Sequence, residues 1–482
     1  MGKHRDTFET AKTIVLALLV ISLAALLIVY IGGTHIYQSM TNTDEKKVFD
    51  KLWSVQDIQR SDGLDKTRLM PSFIGYRVSG SEPVAAVGDS TAIQTLYDIV
   101  SPCVIELFGS GSTCEKLPPT DGQLLFTEGI TGGEYIFLRW HEPVLYQLIY
   151  AYSAGRLTVT ESDTAAYKGD GGAYIKEMVI VPESDVAAHR FTAIARDPDG
   201  NYFRFTRDPG ALASDLHMSR LQDATGRVRT VPFAFETSEY LRLEPMIGSE
   251  LRTADISVAP SSVPAQKTDD LLRLFGCNPD KLGSYHYDSG VVYYDSHSRI
   301  RLEPGRIIYQ ETENGSGVGL SQLLGYSVDS GFTVFDKLAA VDCLLTGLSG
   351  VSQELVGGGA KLCLGNVYTE DGLLVFEYFY TYSGIRVGET AAKAVFGNDA
   401  LRSFELDTES IQPTGSYSLL TTPGSRSDTR TEPPDGRSRT RRKRHELLIF
   451  QQNTRPRLQH PPRARILRGS RREVARVRPR SL

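Results

Sequence analysis

The chain has 482 residues, with 53 basic and 58 acidic side chains and 40% hydrophobic residues. This composition is too apolar for a disordered protein and too weakly charged for a dedicated nucleic-acid binder, and the length allows two to four domains. The net charge of −5 hides a division, since the residues from Arg426 onward carry 17 Arg and one Lys against five acids, a net +13. The first 425 residues therefore carry a net −18, and the two parts need separate explanations.

An apolar run near the N-terminus predicts a membrane-spanning helix. Residues 13–34 follow a basic leader, 1–12, and contain no Asp, Glu, Lys or Arg. About 20 apolar residues suffice to cross a bilayer. The run is longer than the apolar part of a cleaved signal peptide and no clear cleavage site follows, which favours an uncleaved anchor. Because the basic residues precede the helix, we expect a single-pass protein of the cell membrane, with a cytoplasmic N-terminus and most of the chain outside.

One face of this predicted helix is lined with leucine. Leu16, Leu19, Leu23 and Leu26 recur at spacings of three and four. Such a face can contact a partner helix in the membrane, and lipid exposure suits leucine equally well.

The region 44–154 is predicted as a first extracytoplasmic α+β domain. Its helices are a juxtamembrane helix over 44–60 and a second helix, for which Gly88-Asp89-Ser90 offers an N-cap and which stops near Pro102. The polar stretch 109–122 predicts a loop. Two apolar runs, 134–140 and 144–153, predict strands.

The region 155–258 is predicted as a β-rich middle domain. Its clearest element is a hairpin with Asp-Pro-Asp-Gly at 197–200 in the turn. The stretch 259–267 has two prolines and no periodicity, which is typical of a linker.

The region 268–420 is predicted as a C-terminal α+β domain. It begins with a short helix capped by Thr268 or Asp269, continues as a meander over 284–311, and has a second helix opened by Thr333 with Asp336 three residues on. Strands follow over 373–383 and 392–406. The predicted fold is thus α+β, with one transmembrane helix before two to three mixed domains of antiparallel sheets and few helices.

The sequence Tyr-x-Tyr-Ser occurs at 150–153 and again at 380–383, each time after a helix, a Gly/Ser-rich loop and strands. This weak repeat raises the hypothesis of a duplicated α+β unit.

A histidine and aspartate cluster is the only local pattern suggestive of a metal. His286, Asp288, Asp295 and His297 flank a short apolar segment almost symmetrically, and paired strands would bring them together. Asp-Ser-Gly is also ordinary turn chemistry, and no third segment supports the cluster. We therefore favour a half-exposed hairpin and predict no metal site.

The chain has five cysteines, at positions 103, 114, 277, 343 and 363. The odd number and the absence of a Cys-x-x-Cys pair argue against a disulfide framework or a zinc ribbon. A bond between Cys103 and Cys114 that closes a loop is left open.

No Gly-x-Ser-x-Gly or Ser-x-x-Lys motif lies in a strand–turn–helix context, and no local motif selects a pair of carboxylates. The sequence therefore predicts a non-catalytic protein with no catalytic residues, no cofactor and no small-molecule substrate. The alternative is an anchored extracytoplasmic enzyme or polymer-binding protein that acts on the cell wall, and a scaffold of the envelope is a third interpretation.

Several segments follow one another in a distinctive order. They are the anchor, the helix LLRLFGCNP, the Tyr-rich segment YHYDSGVVYYDSHSRIRLEPGRIIYQE, and FEYFYTYSGIRV followed by AKAVFGNDALRSFEL. This order resembles the YycH/YycI family of Gram-positive bacteria. The resemblance covers the anchor and about residues 268–408, with a looser match over 70–258.

The resemblance implies an accessory protein of the WalK–WalR two-component system. Its expected partners are the sensor histidine kinase, through transmembrane-helix and extracytoplasmic contacts, and a second accessory membrane protein, and nucleic acid is not among them. The expected output is a change in kinase activity and hence in cell-wall metabolism. On this reading the leucine face becomes the contact surface for a partner helix.

The composition and the hydrophobic pattern of the sequence change after residue 420. Residues 421–482 are rich in Arg, Pro, Ser and Gly and lose all strand patterning. Three interpretations compete. The segment is a disordered cationic tail for anionic polymers or lipid head groups, or a nucleic-acid-binding arm, which conflicts with a position outside the membrane. The third, which we favour, is the product of a shifted reading frame of a GC-rich gene.

Overall fold

The computed structural model describes residues 64–156, 159–168, 172–182, 191–207, 218–237, 243–247, 251–312, 317–325 and 332–420. The predicted anchor at 13–34, its leucine face, the predicted helix over 44–60 and the tail at 421–482 lie outside these residues. Within them, no helix has the length and apolar character needed to cross a membrane.

The first half of the described chain forms a ten-stranded sheet with helices. The strands are β1 (Phe73–Arg77), β2 (Val84–Val87), β3 (Ser112–Leu117), β4 (Tyr135–Leu145), β5 (Ala166–Lys168), β6 (Tyr174–Pro182), β7 (Phe191–Arg196), β8 (Tyr202–Arg207), β9 (Val231–Thr237) and β10 (Leu243–Ile247). The helices are α1 (Ser90–Phe108), α2 (Pro119–Thr131), α3 (Tyr146–Ala154) and α4 (Met218–Thr225). The strand order is β10-β9-β2-β1-β4-β6-β7-β8-β3-β5, so strands of the predicted first and middle regions share one sheet.

The second half forms a three-stranded and a nine-stranded sheet. Its strands are β11 (Leu251–Pro260), β12 (Gly283–Tyr287), β13 (Gly290–Tyr294), β14 (Ser298–Glu303), β15 (Arg306–Glu311), β16 (Val318–Gly319), β17 (Gly357–Gly358), β18 (Lys361–Glu370), β19 (Leu373–Tyr382), β20 (Ile385–Phe396), β21 (Ala400–Asp407) and β22 (Glu409–Leu420). The helices are α5 (Thr268–Leu274), α6 (Leu320–Leu324) and α7 (Val334–Val351). The orders are β11-β22-β17 and β12-β13-β14-β15-β21-β20-β19-β18, with β16 beside β21.

The pairing is antiparallel except between β3 and β5 and between β17 and β22, so the predicted class of mixed α/β structure with mostly antiparallel sheets and few helices is confirmed for the described residues. A single buried cluster includes Val100 of α1, Val341 of α7 and Phe404 of the nine-stranded sheet, and it therefore runs through both halves. Burial of this apolar surface is the main force that holds the halves together.

Several local predictions are confirmed. The carboxylate of Asp89 accepts the N–H groups of Thr91 and Ala92, both at 3.0 Å, and so caps α1. Thr333 and Asp336 form a reciprocal capping box at the start of α7. The hairpin β7–β8 and the meander β12–β15 also lie where the alternating pattern predicts them.

Three local predictions are wrong. Helix α1 does not stop near Pro102 but continues to Phe108, because its apolar face continues and is buried there. The predicted loop at 109–122 contains β3 and the start of α2. The predicted strand at 144–153 is mostly helix α3, since a short apolar run fits a buried helix as well as a buried strand.

The hypothesis of a duplicated unit also fails at the repeated motif. Tyr150 and Tyr152 lie on helix α3, whereas Tyr380 and Tyr382 lie on strand β19. The two copies of Tyr-x-Tyr-Ser are therefore not equivalent in structure.

The predicted cap of helix α5 is also wrong. The helix begins at Thr268, and Lys267, not Thr268 or Asp269, is in the capping position.

Candidate functional site

The residues of the predicted histidine and aspartate cluster lie in the β12–β13 hairpin and the loop after it. His286 is on β12, and Asp288 is in the turn between the two strands. The Asp295 carboxylate accepts the N–H of His297 at 2.8 Å and of Ser298 at 2.7 Å, which is the geometry of an Asx turn. Across the described ranges, no three His, Cys, Asp or Glu side chains lie close enough together to hold a metal ion.

None of the five cysteines, all of which lie in the described ranges, forms a disulfide. Cys103 lies on α1 and Cys114 on β3, and both are buried. Burial raises the pKa of the Cys114 thiol to about 12, so this group stays protonated at neutral pH.

The structure brings together a different set of residues, at the junction of the two halves. A segment that we call the strap, residues 64–70, contacts α3 of the first half and β18 of the second half. Asp65 caps its single 3-10 turn by accepting the N–H of Thr67 at 3.0 Å. Leu64 and Leu69 are buried, so both ends of the turn are packed into the protein.

The inner contact of the junction is a buried ion pair. Asp342, in the middle of α7, is 0% exposed, and its carboxylate pairs with the guanidinium of Arg68 from the strap. The second oxygen of Asp342 accepts the N–H of Asp65 at 2.9 Å. Burial raises the pKa of the Asp342 carboxyl, and the charge of Arg68 opposes that shift. The pair therefore depends on the strap being in place.

Two tyrosines surround this ion pair. Tyr152 comes from α3 and Tyr378 from β19, and both side chains are fully buried. Burial raises the pKa of both phenols, so they remain neutral. The inner contact thus combines the strap with elements of both halves.

The outer contact joins the end of β4 to the β19–β20 turn. His141 Nε2 donates to the carbonyl of Gly384 at 3.1 Å, and Glu142 forms an ion pair with Arg386. The Arg386 guanidinium also lies 4.5 Å from the ring centroid of Phe379. Burial, with Lys176 and Arg386 nearby, lowers the pKa of His141 to about 3.

A small cleft, about the size of a water molecule, lies between the two contacts. It is lined by Arg68, Leu69, Met70, Trp140, His141, Glu142, Val144, Cys363, Leu364 and Phe379. Of its charged side chains, Arg68 pairs with Asp342 and Glu142 pairs with Arg386. The arrangement fixes the two halves and the strap in one geometry.

Sequence reasoning missed this junction. Arg68 and Asp342 are far apart in the chain, and no short motif contains both. One signal was available: Asp342 interrupts the apolar sequence LAAVDCLL of a predicted helix. An acid on an apolar helix face needs a buried partner, although the sequence does not say which.

Comparison with known proteins gives one structural likeness. No family model matches the chain, and no curated protein matches it. Among solved structures, the crystal structure of YycH from Bacillus subtilis is similar at a TM-score of 0.46 and 11% sequence identity, over 75% of this chain and 86% of that chain. A likeness at this level is similarity to YycH and not membership of its family.

Proposed function

We propose that this protein is a non-catalytic accessory protein, anchored in the cell membrane by residues 13–34, that modulates a sensor histidine kinase of the WalK type. Its partners in this proposal are the kinase and a second accessory membrane protein, and the output is a change in cell-wall metabolism. The sequence resemblance described above is the basis for the choice of partner. The observation that carries the proposal is the docking of the strap at the junction.

The strap is the described segment nearest in sequence to the predicted anchor. Because Leu64 and Leu69 are buried and Arg68 is paired with Asp342, the strap cannot shift without disturbing both halves. A partner that changes the geometry of the halves would therefore also change the position of the chain leading to the membrane helix.

A helix contact of this kind regulates by differential binding. If the anchor helix binds one state of the kinase more tightly than another, it shifts the population toward that state by the difference in binding free energy. In this proposal Leu16, Leu19, Leu23 and Leu26 form the contact surface.

Co-purification of the full chain with the kinase from membranes tests the proposal. Replacement of Leu16, Leu19, Leu23 and Leu26 by alanine should abolish recovery of the kinase. The matched control replaces Ile14, Leu18, Ile21 and Ile28, on the opposite face, and should leave recovery unchanged. Recovery that persists when the whole helix sequence is scrambled would refute the helix contact, and loss of recovery in both variants would refute the assignment to one face.

A further inference from the structure

The outer edge of strand β12 differs from the other sheet edges that the structure describes. A terminal strand presents unpaired N–H and C=O groups, and proteins usually protect it with prolines, charges, bulges or covering chain. The ten-stranded sheet follows this rule at both ends. Strand β10 contains Pro245, and β5 has only three residues, including Lys168.

The remaining edges of the second half are protected as well. Strand β18 is bulged between Leu364 and Val367 and is covered by the strap and β4. Strand β11 is bulged between Ala254 and Ile256 and ends in a proline, and β17 is only two residues long.

Strand β12 has none of the features that protect the other edge strands. Its sequence, GSYHY, contains no Pro, Lys, Arg, Asp or Glu, and its pairing with β13 has no bulge. Tyr285 on β12 is 48% exposed and Tyr294 on β13 is 44% exposed, with ring centroids 5.8 Å apart. No strand in the described part of the chain pairs with the outer side of β12.

The pairing register shows which peptide groups face outward. Tyr287 and Gly290 close a two-residue loop, so they form a hydrogen-bonded pair, and such pairs alternate along an antiparallel ladder. Tyr285 therefore directs its N–H and C=O toward β13. Ser284 and His286 direct theirs away from the sheet.

We propose that a second copy of this chain occupies this edge, through antiparallel pairing of β12 with itself about a two-fold axis at Tyr285. Ser284 of each copy then lies opposite His286 of the other, and these are the residues whose peptide groups face outward. The pairing forms four hydrogen bonds between the copies and places the two Tyr285 side chains next to each other.

The sequence of β12 favours a second copy over a foreign strand. Because the strand contains no Lys, Arg, Asp or Glu, pairing with itself opposes no like charges of those types. The same lack of charge offers a foreign strand no charge complementarity, whereas a two-fold axis pairs the same outward-facing peptide groups of both copies. The interface closes on itself and stops at a dimer.

The dimer is expected to be weak in dilute solution. Five paired residues bury much less than the roughly 1,200 Å² of a stable protein interface. Association should therefore depend on protein concentration and be strongest where many copies share one membrane.

Disulfide cross-linking of the full chain in membranes tests the register. In the proposed dimer the two copies of Tyr285 form a non-hydrogen-bonded pair, whose separation suits a disulfide. Tyr285→Cys should give a covalent dimer under mild oxidation. Ser284→Cys should not, because Ser284 faces His286 and not its own counterpart, and the unsubstituted chain controls for its own five cysteines. Equal cross-linking of both variants, or none of Tyr285→Cys, would overturn the proposal.

A second pair of variants tests the hydrogen bonds independently of cysteine. His286→Pro removes an outward N–H without touching the ladder to β13, and His286→Ala keeps that N–H. Sedimentation of the full chain in detergent should show at least a tenfold weaker dimer for His286→Pro and little change for His286→Ala. Dimers of equal strength in both variants, or a chain that is monomeric at every concentration, would refute self-pairing. Neither result bears on kinase binding, which is measured separately.

Discussion

The junction holds the two halves with two contacts of opposite character. The inner contact, between Arg68 and Asp342, is closed to solvent, with the carboxylate 0% exposed. The outer contact, between Glu142 and Arg386, is partly open, with side chains 17% and 25% exposed. The same type of ion pair therefore operates in two different dielectric environments within one junction.

This difference decides what each contact contributes. Removal of one partner from a buried pair leaves a charge without compensation and costs several kcal/mol, whereas an open pair is screened by water and contributes little. The inner contact should therefore govern whether the strap stays docked. The outer contact should mainly affect the packing of the β19–β20 turn against β4.

The largest expected effect comes from Asp342→Ala. This substitution leaves the guanidinium of Arg68 buried without its carboxylate, and we expect the free energy of unfolding to fall by about 3–5 kcal/mol. Denaturant unfolding of the full chain in detergent measures the loss.

The matched control for Asp342→Ala is the double variant Arg68→Met with Asp342→Leu. It removes both charges and keeps apolar volume, so most of the lost stability should return. A double variant as unstable as Asp342→Ala would mean that packing around α7, and not the unpaired charge, causes the loss.

An intermediate effect is expected from His141, and it depends on pH. The pKa of this imidazole falls from its ordinary value of 6.5 to about 3 in the folded protein. Below about pH 6.5 the unfolded chain therefore binds a proton that the folded chain does not, and stability falls as the pH drops toward about 3. Above that range the histidine contributes no pH dependence.

His141→Gln tests this effect, because its amide N–H still reaches the Gly384 carbonyl but has no proton to gain. Between about pH 7 and about pH 5, the parent chain should lose up to about 2 kcal/mol more than His141→Gln. Unfolding curves at the two pH values measure the difference. Equal losses of unfolding free energy in the two chains would show that His141 does not cause the loss of stability at low pH.

The smallest effect is expected from Glu142→Gln. The open ion pair with Arg386 is lost, while the contact of Arg386 with the Phe379 ring remains. We expect a loss of at most about 1 kcal/mol, and less at high salt. A loss as large as that of Asp342→Ala would erase the distinction between the inner and outer contacts.

Local patterns predicted much of the fold, for identifiable physical reasons. Asp89 and Thr333 mark helix starts because their side chains satisfy the first free N–H groups, which is a contact within four residues. The β7–β8 hairpin follows from its turn residues and alternation. The helix α3 was missed because its nine residues are mostly apolar, and a short apolar run is buried equally well as a helix or as a strand.

The candidate site was out of reach of such patterns. Asp65 and Asp342 are 277 residues apart, and the junction exists only after both halves have formed. The same holds for His141 and Gly384, which are 243 residues apart. Local sequence can mark Asp342 as unusual in an apolar helix, but only the packed structure supplies its partner.

The position of the last two strands sets an order of assembly during synthesis. Strand β21 lies inside the nine-stranded sheet between β15 and β20, and β22 pairs along β11 up to Leu251. The second half therefore cannot close until the chain has been made as far as residue 420, whereas every strand of the first sheet is complete by Ile247. The strap is made before both halves, but it docks only after helix α7 has been made, because its partner Asp342 lies on that helix. In a nascent or truncated chain that stops before β21, the nine-stranded sheet is incomplete, so the packing that buries Asp342 and holds the strap is incomplete as well.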